Sequence, residues 1–301
     1  MTERAHEELQ AAAARPVEIE AFCPLSSVGV LDIAGRSIRG KLRSHNSDHY
    51  LAVKLGRVQD TLISSLAPAD LPQRFEEYAY VILVADGRGR RGAGAKASRV
   101  ALSTLAHVAI RDGKWHVRVD PETAENIRTQ VEFFSRQAHD VLYQAHLADS
   151  ERPDLATTLT AVYVAGTDLF AMGIGNSRAL LFRDDYLIRL TNNRTLDQWL
   201  GAGHPRKADD VPPDPGPRGQ DTAGQPDRTA SVDQVQLMSG DRLLLCTDGF
   251  TDFVGDREIV EALTSRRHPG EQCQELLDLA LAAGSADDIT VVVADYRLRS
   301  R

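Results

Sequence analysis

A continuous run of apolar residues, rich in valine and isoleucine, constrains the fold of this chain more than any other feature. Residues Tyr80–Ala85 read Y-V-I-L-V-A, with no charged residue among them. Such a run is typical of a strand buried on both faces, so other layers must cover it on both sides. We predict that the strand stops at Asp86-Gly87, where glycine permits a sharp turn and the aspartate projects into a cleft.

The order of the predicted elements favours an α+β architecture. Short strands come first, two helices follow over about 97–145, strands return over 158–190 and 241–246, and two helices precede a last strand at 289–296. This order lacks the strict strand–helix alternation of a parallel sheet and favours stacked layers. We predict a helical arm over 1–16 and one domain over 17–301. The Pro-, Asp- and Gly-rich stretch 203–233 is predicted to be a mobile insertion loop.

Composition and charge exclude several classes of protein. The 301 residues carry a net charge of −8, which argues against binding to nucleic acid. No stretch approaches the roughly 20 apolar residues of a membrane span. The three cysteines are far apart and the first residues lack the apolar core of a secretory signal, so a reduced, cytoplasmic protein is expected.

Four aspartates lie next to predicted strands on separate segments. Asp86 and Asp248 each follow an apolar strand and precede a glycine, whereas Asp48 and Asp287 come just before strands. If these side chains converge, their repulsion requires cations, and oxygen-only ligands suit Mg²⁺ or Mn²⁺ rather than zinc. The alternative is that Asp-Gly is a common turn, because spacing alone does not show that the four converge.

Six segments together resemble the type 2C metal-dependent protein Ser/Thr phosphatases, the PPM family, and especially its compact bacterial members. They occur in the order of the family's motifs, and the similarity extends from about residue 25 to 296. The segments are Arg43–Asp48 (RSHNSD), Val84–Arg90 (VADGRGR), Asp154–Leu159 (DLATTL), Gly175–Ala179 (GNSRA), Gly240–Asp252 (GDRLLLCTDGFTD) and Asp287–Val292 (DDITVV).

The resemblance implies a four-layer αββα sandwich, in which helix pairs flank two antiparallel sheets and a binuclear Mn²⁺ or Mg²⁺ centre lies at one end. It implies metal ligation by the carboxylates of Asp86, Asp248 and Asp287 and by the carbonyl of Gly87. Asp48 would act beside the metals, largely through metal-bound water, and the Arg43 guanidinium would bind the substrate phosphate. Asp154 matches a position that helps to hold a third, weaker metal.

The activity implied is hydrolysis of phosphoserine and phosphothreonine by metal-activated water, without a covalent enzyme intermediate. The expected partners are a phosphorylated protein substrate and a Ser/Thr kinase that the enzyme opposes in signalling. Neither nucleic acid nor membrane is expected as a partner, and the protein is expected to be a monomer.

Departures from the family motifs keep other functions open. Ser47 and Asn176 replace family acids, Asp288 replaces an asparagine, and Arg90 replaces a glycine. A weak or inactive pseudophosphatase that binds phosphoproteins is therefore an alternative, and a phosphatase dedicated to one small phosphoprotein is another. The basic run Arg88, Arg90, Arg91 and Lys96 is either a solvated loop or a rim that attracts phosphorylated substrate.

Overall fold

A computed structural model describes residues 29–71, 74–89, 92–112, 116, 119–148, 156–191 and 232–298. The predicted arm over 1–16, Asp154 and residues 203–231 of the predicted loop lie outside these ranges. The division into an arm, a domain and an inserted loop therefore stays a prediction.

Two antiparallel sheets form the centre of the molecule. The first sheet contains, in spatial order, β1 (Gly29–Ile38), β11 (Ile289–Leu298), β10 (Arg242–Cys246), β7 (Arg178–Arg183) and β8 (Tyr186–Arg189). The second contains β2 (Asp48–Asp60), β3 (Arg74–Arg88), β5 (Leu159–Ala165), β6 (Asp168–Ile174) and β9 (Val232–Gln236), and the short β4 (Ala156–Thr157) pairs with the end of β3.

Helices cover the outer faces of both sheets. The helices are α1 (Ala93–Asp112), α2 (Pro121–Ala148), α3 (Asp248–Thr251), α4 (Asp256–Thr264) and α5 (Pro269–Ala282), and a 3-10 turn spans Pro68–Asp70. Side chains of α1 and α2 pack on the second sheet, and those of α4 and α5 pack on the first. No helix among the described residues is both long and apolar enough to cross a membrane.

Strand alternation explains how the central strands are buried on both faces. In β11, Val292 and Ala294 pack between the two sheets, whereas Val291 and Val293 face α4 and α5. In β3, Val84 points between the sheets while Leu83 and Ala85 face α1 and α2. Successive side chains of a strand point to opposite faces, so an unbroken apolar run provides both contacts. The predicted four-layer αββα sandwich is confirmed.

The predicted end of the Tyr80 strand is wrong. β3 does not stop at Asp86-Gly87 but continues to Arg88, because Gly87 and Arg88 pair with Thr157 and Ala156 of β4. The backbone N–H and C=O groups at the end of β3 thus form hydrogen bonds with β4, a strand of two residues that is too short to recognise from sequence.

Candidate functional site

Asp48 and Asp86 are direct cross-strand neighbours. Asp48 begins β2, Asp86 lies two residues before the end of β3, and the two residues form a register pair. Asp48 is 3% exposed, and its Oδ2 accepts a hydrogen bond of 2.7 Å from Thr247 Oγ1, which follows β10 in the other sheet. This bond joins the two sheets at one end of the sandwich. The other carboxylate oxygen, Oδ1, is buried and has no hydrogen-bond partner within the described part of the chain.

The backbone of Asp86 is fixed by two threonines of the segment that includes β4. Its N–H donates to Thr158 Oγ1 at 2.9 Å, and its carbonyl accepts from Thr158 N at 2.8 Å and from Thr157 Oγ1 at 2.9 Å. Burial and the nearby charge of Asp248 raise the pKa of Asp86 to about 7. Burial, followed by the charge of Asp86, raises the pKa of Asp48 well above its ordinary value. Both shifts show that this end of the sandwich disfavours uncompensated negative charge.

Asp248 lies in the first turn of α3, immediately after β10, and two neighbouring side chains contact its carboxylate. Asn176 Nδ2 donates to Asp248 Oδ2 at 2.5 Å, and Arg88 Nη2 lies 3.5 Å from the same oxygen. The Nε of Arg88 also lies 3.9 Å from Asp86 Oδ2. Asn176 therefore provides a hydrogen-bond donor to Asp248 where a family acid would add a further negative charge.

Asp287 and Arg43 form a bidentate ion pair. Arg43 Nε and Nη2 donate to the two carboxylate oxygens of Asp287, each at 2.7 Å. Burial alone would raise the pKa of Asp287, but the hydrogen bonds from Arg43 and from the Asp288 N–H outweigh it and hold that pKa below the ordinary value. The predicted phosphate ligand thus lies beside a predicted metal ligand.

Asp288 fixes the segment that carries Arg43. Its side chain is 3% exposed, and its two oxygens accept hydrogen bonds of 2.8 Å from the backbone N–H groups of Gly40 and Ser47. An asparagine has only one oxygen, so an asparagine here would lose one of these two acceptors. The departure from the family motif at Asp288 therefore has a local structural role.

We expect Asp288→Ala to raise KM for a phosphorylated substrate about tenfold, since the loss of two charge-assisted hydrogen bonds releases the Arg43 segment. Asp288→Asn should fall between the wild type and the alanine variant. Steady-state kinetics, with circular dichroism to confirm folding, measures the effect. A KM unchanged in both folded variants would contradict this role.

Gly87 and Gly249 permit close backbone contacts at the site. A Cβ on Gly87 would lie 1.9 Å from the carbonyl oxygen of Gly94 in α1, and a Cβ on Gly249 would lie 2.0 Å from the carbonyl oxygen of Asp288. Gly87 is not among the residues of positive φ, so its predicted role in a sharp turn is wrong. It is required because the backbones of β3 and α1 touch there.

The structure brings most of the predicted residues to one end of the sandwich. The charges of Asp248 and Asp287 both raise the pKa of Asp86, its neighbour Asp48 lies across the strand pair, and Arg43 adjoins Asp287. Among the described residues, however, no three acidic, histidine or cysteine side chains converge closely enough to hold one ion. Asp154 lies outside the described ranges.

The donor chemistry fits hard divalent cations, although the arrangement is not a ready-made cage. The donors are oxygens, the buried Asp48 Oδ1 has no described partner, and the raised pKa values of Asp48 and Asp86 are what a bound cation would reverse. In this structure the guanidinium groups of Arg43 and Arg88 contact the carboxylates of the predicted metal ligands. From the sequence, Arg88 is considered only as part of a basic run, either a solvated loop or a rim for substrate, and Asn176 only as a departure from a family acid. Their contacts with Asp248, and the hydrogen bond from Thr247 to Asp48, are not predicted.

A cavity of about 420 Å³ lies between the start of β2 and the start of α1. It is lined by His45, Asn46, His49, Gly92, Ala95, Lys96 and Arg99. His49 Nδ1 is 2.9 Å from Ser98 Oγ, and burial, together with the charge of Arg99, lowers the pKa of His49. Of the predicted basic run, Lys96 lines this cavity, Arg88 contacts the carboxylates, and Arg90 and Arg91 lie outside the described ranges.

Cys246, next to Thr247, is fully buried, and burial raises the pKa of its thiol to about 12. Such a thiol is not nucleophilic near neutral pH.

Comparison with known proteins identifies the family. The sequence profile of protein phosphatase 2C matches residues 70–284, and the chain therefore belongs to the protein phosphatase 2C family. The serine/threonine protein phosphatase PstP of Mycobacterium tuberculosis is 30% identical over 269 residues, which are 88% of this chain and 45% of that protein. This chain thus spans about half the length of that relative.

Two further comparisons support the same assignment. The serine/threonine phosphatase stp of Listeria innocua is 26% identical over 276 residues, which cover 88% of this chain and 96% of that protein. The crystal structure of the catalytic domain of PstP in complex with two manganese ions matches with a TM-score of 0.63 and 26% identity, covering 89% of this chain and 99% of that chain.

Proposed function

We propose that this protein is a metal-dependent protein phosphatase that hydrolyses phosphoserine and phosphothreonine. The observation that carries the proposal is that the charges of Asp248 and Asp287 both act on Asp86 at one end of the αββα sandwich, where Arg43 pairs with Asp287. Family membership and the two manganese ions named for PstP support it. None of the comparisons favours the alternative of a weak or inactive pseudophosphatase that binds phosphoproteins.

The carboxylates of Asp86, Asp248 and Asp287 and the carbonyl of Gly87 would hold two Mn²⁺ or Mg²⁺ ions, and Asp154 would contribute to a third. When bound, such ions supply an activated water and positive charge for the phosphoryl oxygens. The protein's own groups provide the positioning. Arg43 offers a planar fork that suits two phosphate oxygens, and it must leave Asp287 to reach them.

We propose that Asp48 acts on a water molecule at the site. Thr247 fixes one of its oxygens, and Thr247 Oγ1 in turn accepts a hydrogen bond of 3.0 Å from the backbone N–H of Thr290. The carboxylate is therefore held in one orientation, and Oδ1 remains to accept a hydrogen bond from water. We also propose a cytoplasmic, monomeric enzyme that opposes a Ser/Thr kinase.

Phosphate release from a phosphothreonine peptide, measured with EDTA, Mg²⁺ or Mn²⁺ in parallel, tests the proposal. We expect release with metal, none with EDTA, and loss of the metal-dependent rate in Asp248→Asn. Peptide binding without turnover in any metal, by protein shown to be folded, would instead support the pseudophosphatase.

We expect Arg43→Met to raise KM for the phosphopeptide by about 10- to 100-fold, because charge-assisted hydrogen bonds to phosphate are lost. Arg43→Lys should give an intermediate KM, since it keeps the charge without the fork. The same assay at saturating Mn²⁺ measures both. Equal KM values in wild type and Arg43→Met would show that Arg43 does not bind the phosphate.

A further inference from the structure

The guanidinium of Arg88 lies between two carboxylates, one on β3 of the second sheet and the other on α3, the helix that follows β10 of the first sheet. Arg88 ends β3, two residues after Asp86, so both side chains lie on the same face of that strand. Its Nε is 3.9 Å from Asp86 Oδ2, and its Nη2 is 3.5 Å from Asp248 Oδ2. The Arg88 side chain is 34% exposed, against 15% for Asp86 and 20% for Asp248.

From this placement we infer that Arg88 is an internal competitor of the divalent metal, which sets the metal concentration at which the site fills. The inference rests on the metal site of the proposed function and concerns its regulation. Arg88 neutralises Asp86 and Asp248 with a single cation, and an incoming ion must displace that cation to reach the same oxygens.

Three physical properties of the contacts support this competition. Each carboxylate contacts Arg88 through its Oδ2, and a metal bound to that oxygen would lie beside a guanidinium of like charge. Arginine cannot lose its proton in a protein, so the repulsion is relieved only if the side chain moves away. Its partial exposure provides that route, because the side chain can turn into solvent without leaving a buried charge.

The two arginines at the site divide the predicted metal ligands between them. Arg43 engages Asp287, and Arg88 engages Asp86 and Asp248. All three carboxylates therefore contact a guanidinium. Arg88 differs from Arg43 in bridging two acids, so its removal exposes the mutual repulsion of Asp86 and Asp248, which already contributes to the raised pKa of Asp86.

Titration calorimetry with MnCl₂ tests the inference on the full chain. We expect Arg88→Met to bind Mn²⁺ roughly fivefold more tightly than the wild type, since a competing charge is removed. Arg88→Lys keeps the charge but loses the fork, and should lie between them. Arg74→Met is the matched control, because Arg74 is the first residue of the same strand and lies at its opposite end. Its affinity should equal that of the wild type.

Thermal unfolding with and without MnCl₂ is a second test. If Arg88 had only a structural role, the rise in Tm caused by the metal would be the same in Arg88→Met and in the wild type. In EDTA, Arg88→Met should melt about 2–4 °C below the wild type, because two acids lose their counter-charge. The rise in Tm on adding MnCl₂ should be larger in Arg88→Met than in the wild type, as tighter binding stabilises more at a given metal concentration.

Equal or weaker Mn²⁺ binding by Arg88→Met overturns the inference, as does the lack of Mn²⁺ binding by both proteins. A raised KM for phosphopeptide with unchanged Mn²⁺ affinity also overturns it and assigns Arg88 to the substrate. If Arg88→Met binds Mn²⁺ more tightly than the wild type but the wild type releases no phosphate, the inference stands and the proposed function is wrong. If the wild type releases phosphate with Mn²⁺ but the two proteins bind Mn²⁺ equally, the proposed function stands and the inference is wrong.

Discussion

Asp86→Asn is expected to reduce metal-dependent phosphate release by about 10³-fold or more, the scale of loss when a key electrostatic group of an active site is removed. Asp86 is the residue on which the site converges. It pairs across the strands with Asp48, its pKa responds to both Asp248 and Asp287, and three hydrogen bonds fix its backbone. An asparagine preserves the shape but removes the negative charge, and the phosphopeptide assay measures the loss.

The same variant should be more stable than the wild type in EDTA at alkaline pH. The pKa of Asp86 is about 7 in the folded protein against 3.8 ordinarily, so folding disfavours its ionised form. This cost is absent below the unfolded pKa, grows as pH rises towards 7, and is complete above it. Asparagine never ionises and avoids the cost. Urea unfolding at pH 5 and pH 8 should show a gain that increases with pH.

Loss of activity with loss of stability at pH 8 would contradict this account, since it would mean that the Asp86 charge supports the fold. Retained metal-dependent turnover in Asp86→Asn would contradict the placement of the metal site itself. Asp140→Asn is a control, because Asp140 is an exposed residue of α2. Its substitution should change neither the rate of phosphate release nor the free energy of unfolding.

Gly87→Ala is expected to lower both the free energy of unfolding and the activity. The added Cβ would lie 1.9 Å from the carbonyl oxygen of Gly94 and 2.9 Å from that of Ser47. Both neighbours are backbone, so no side-chain rotation relieves the clash, and α1 or the Ser47 segment must move. We expect a loss of roughly 2–4 kcal/mol in the free energy of unfolding. Activity should fall about 100-fold even at a temperature where the protein is folded.

Gly255→Ala is the matched control for this substitution. Gly255 precedes α4 with a φ of −80°, and the nearest atom to its added Cβ is the flexible Glu258 Oε2 at 3.7 Å. We expect about 1 kcal/mol or less of destabilisation and unchanged turnover. If Gly87→Ala behaved like Gly255→Ala in both unfolding and kinetics, the close contact of β3 with α1 would not support the site.

Local patterns predicted much of the fold. The unbroken run Tyr80–Ala85, the two helices over about 97–145 and the last strand at 289–296 all lie close to their predicted positions. Asp184 and Asp185, between β7 and β8, both have positive φ, which suits a tight hairpin. The continuation of β3 to Arg88 was missed because its partner, β4, has only two residues and comes about 70 positions later.

The predicted residues of the site were easier to identify than their neighbours. Asp86, Asp248 and Asp287 stand out because each lies where a strand begins or ends, and the family resemblance assigns them a role. Arg88 and Asn176 were noticed only as part of a basic run and as a departure from a motif. Their contacts with Asp248 could not be predicted, because these contacts cross 160 and 72 positions of sequence. Asp288 could be noticed only as a departure from a motif. Its hydrogen bonds to Gly40 and Ser47 require the folded chain.

Anomalous X-ray diffraction from crystals grown with MnCl₂ locates the metal without relying on turnover. We expect manganese peaks within coordination distance of the carboxylates of Asp86, Asp248 and Asp287, with the Arg88 guanidinium displaced from Asp86 and Asp248. Density that shows Arg88 and Arg43 still paired with these carboxylates at saturating Mn²⁺, and no manganese peak beside them, would contradict this expectation.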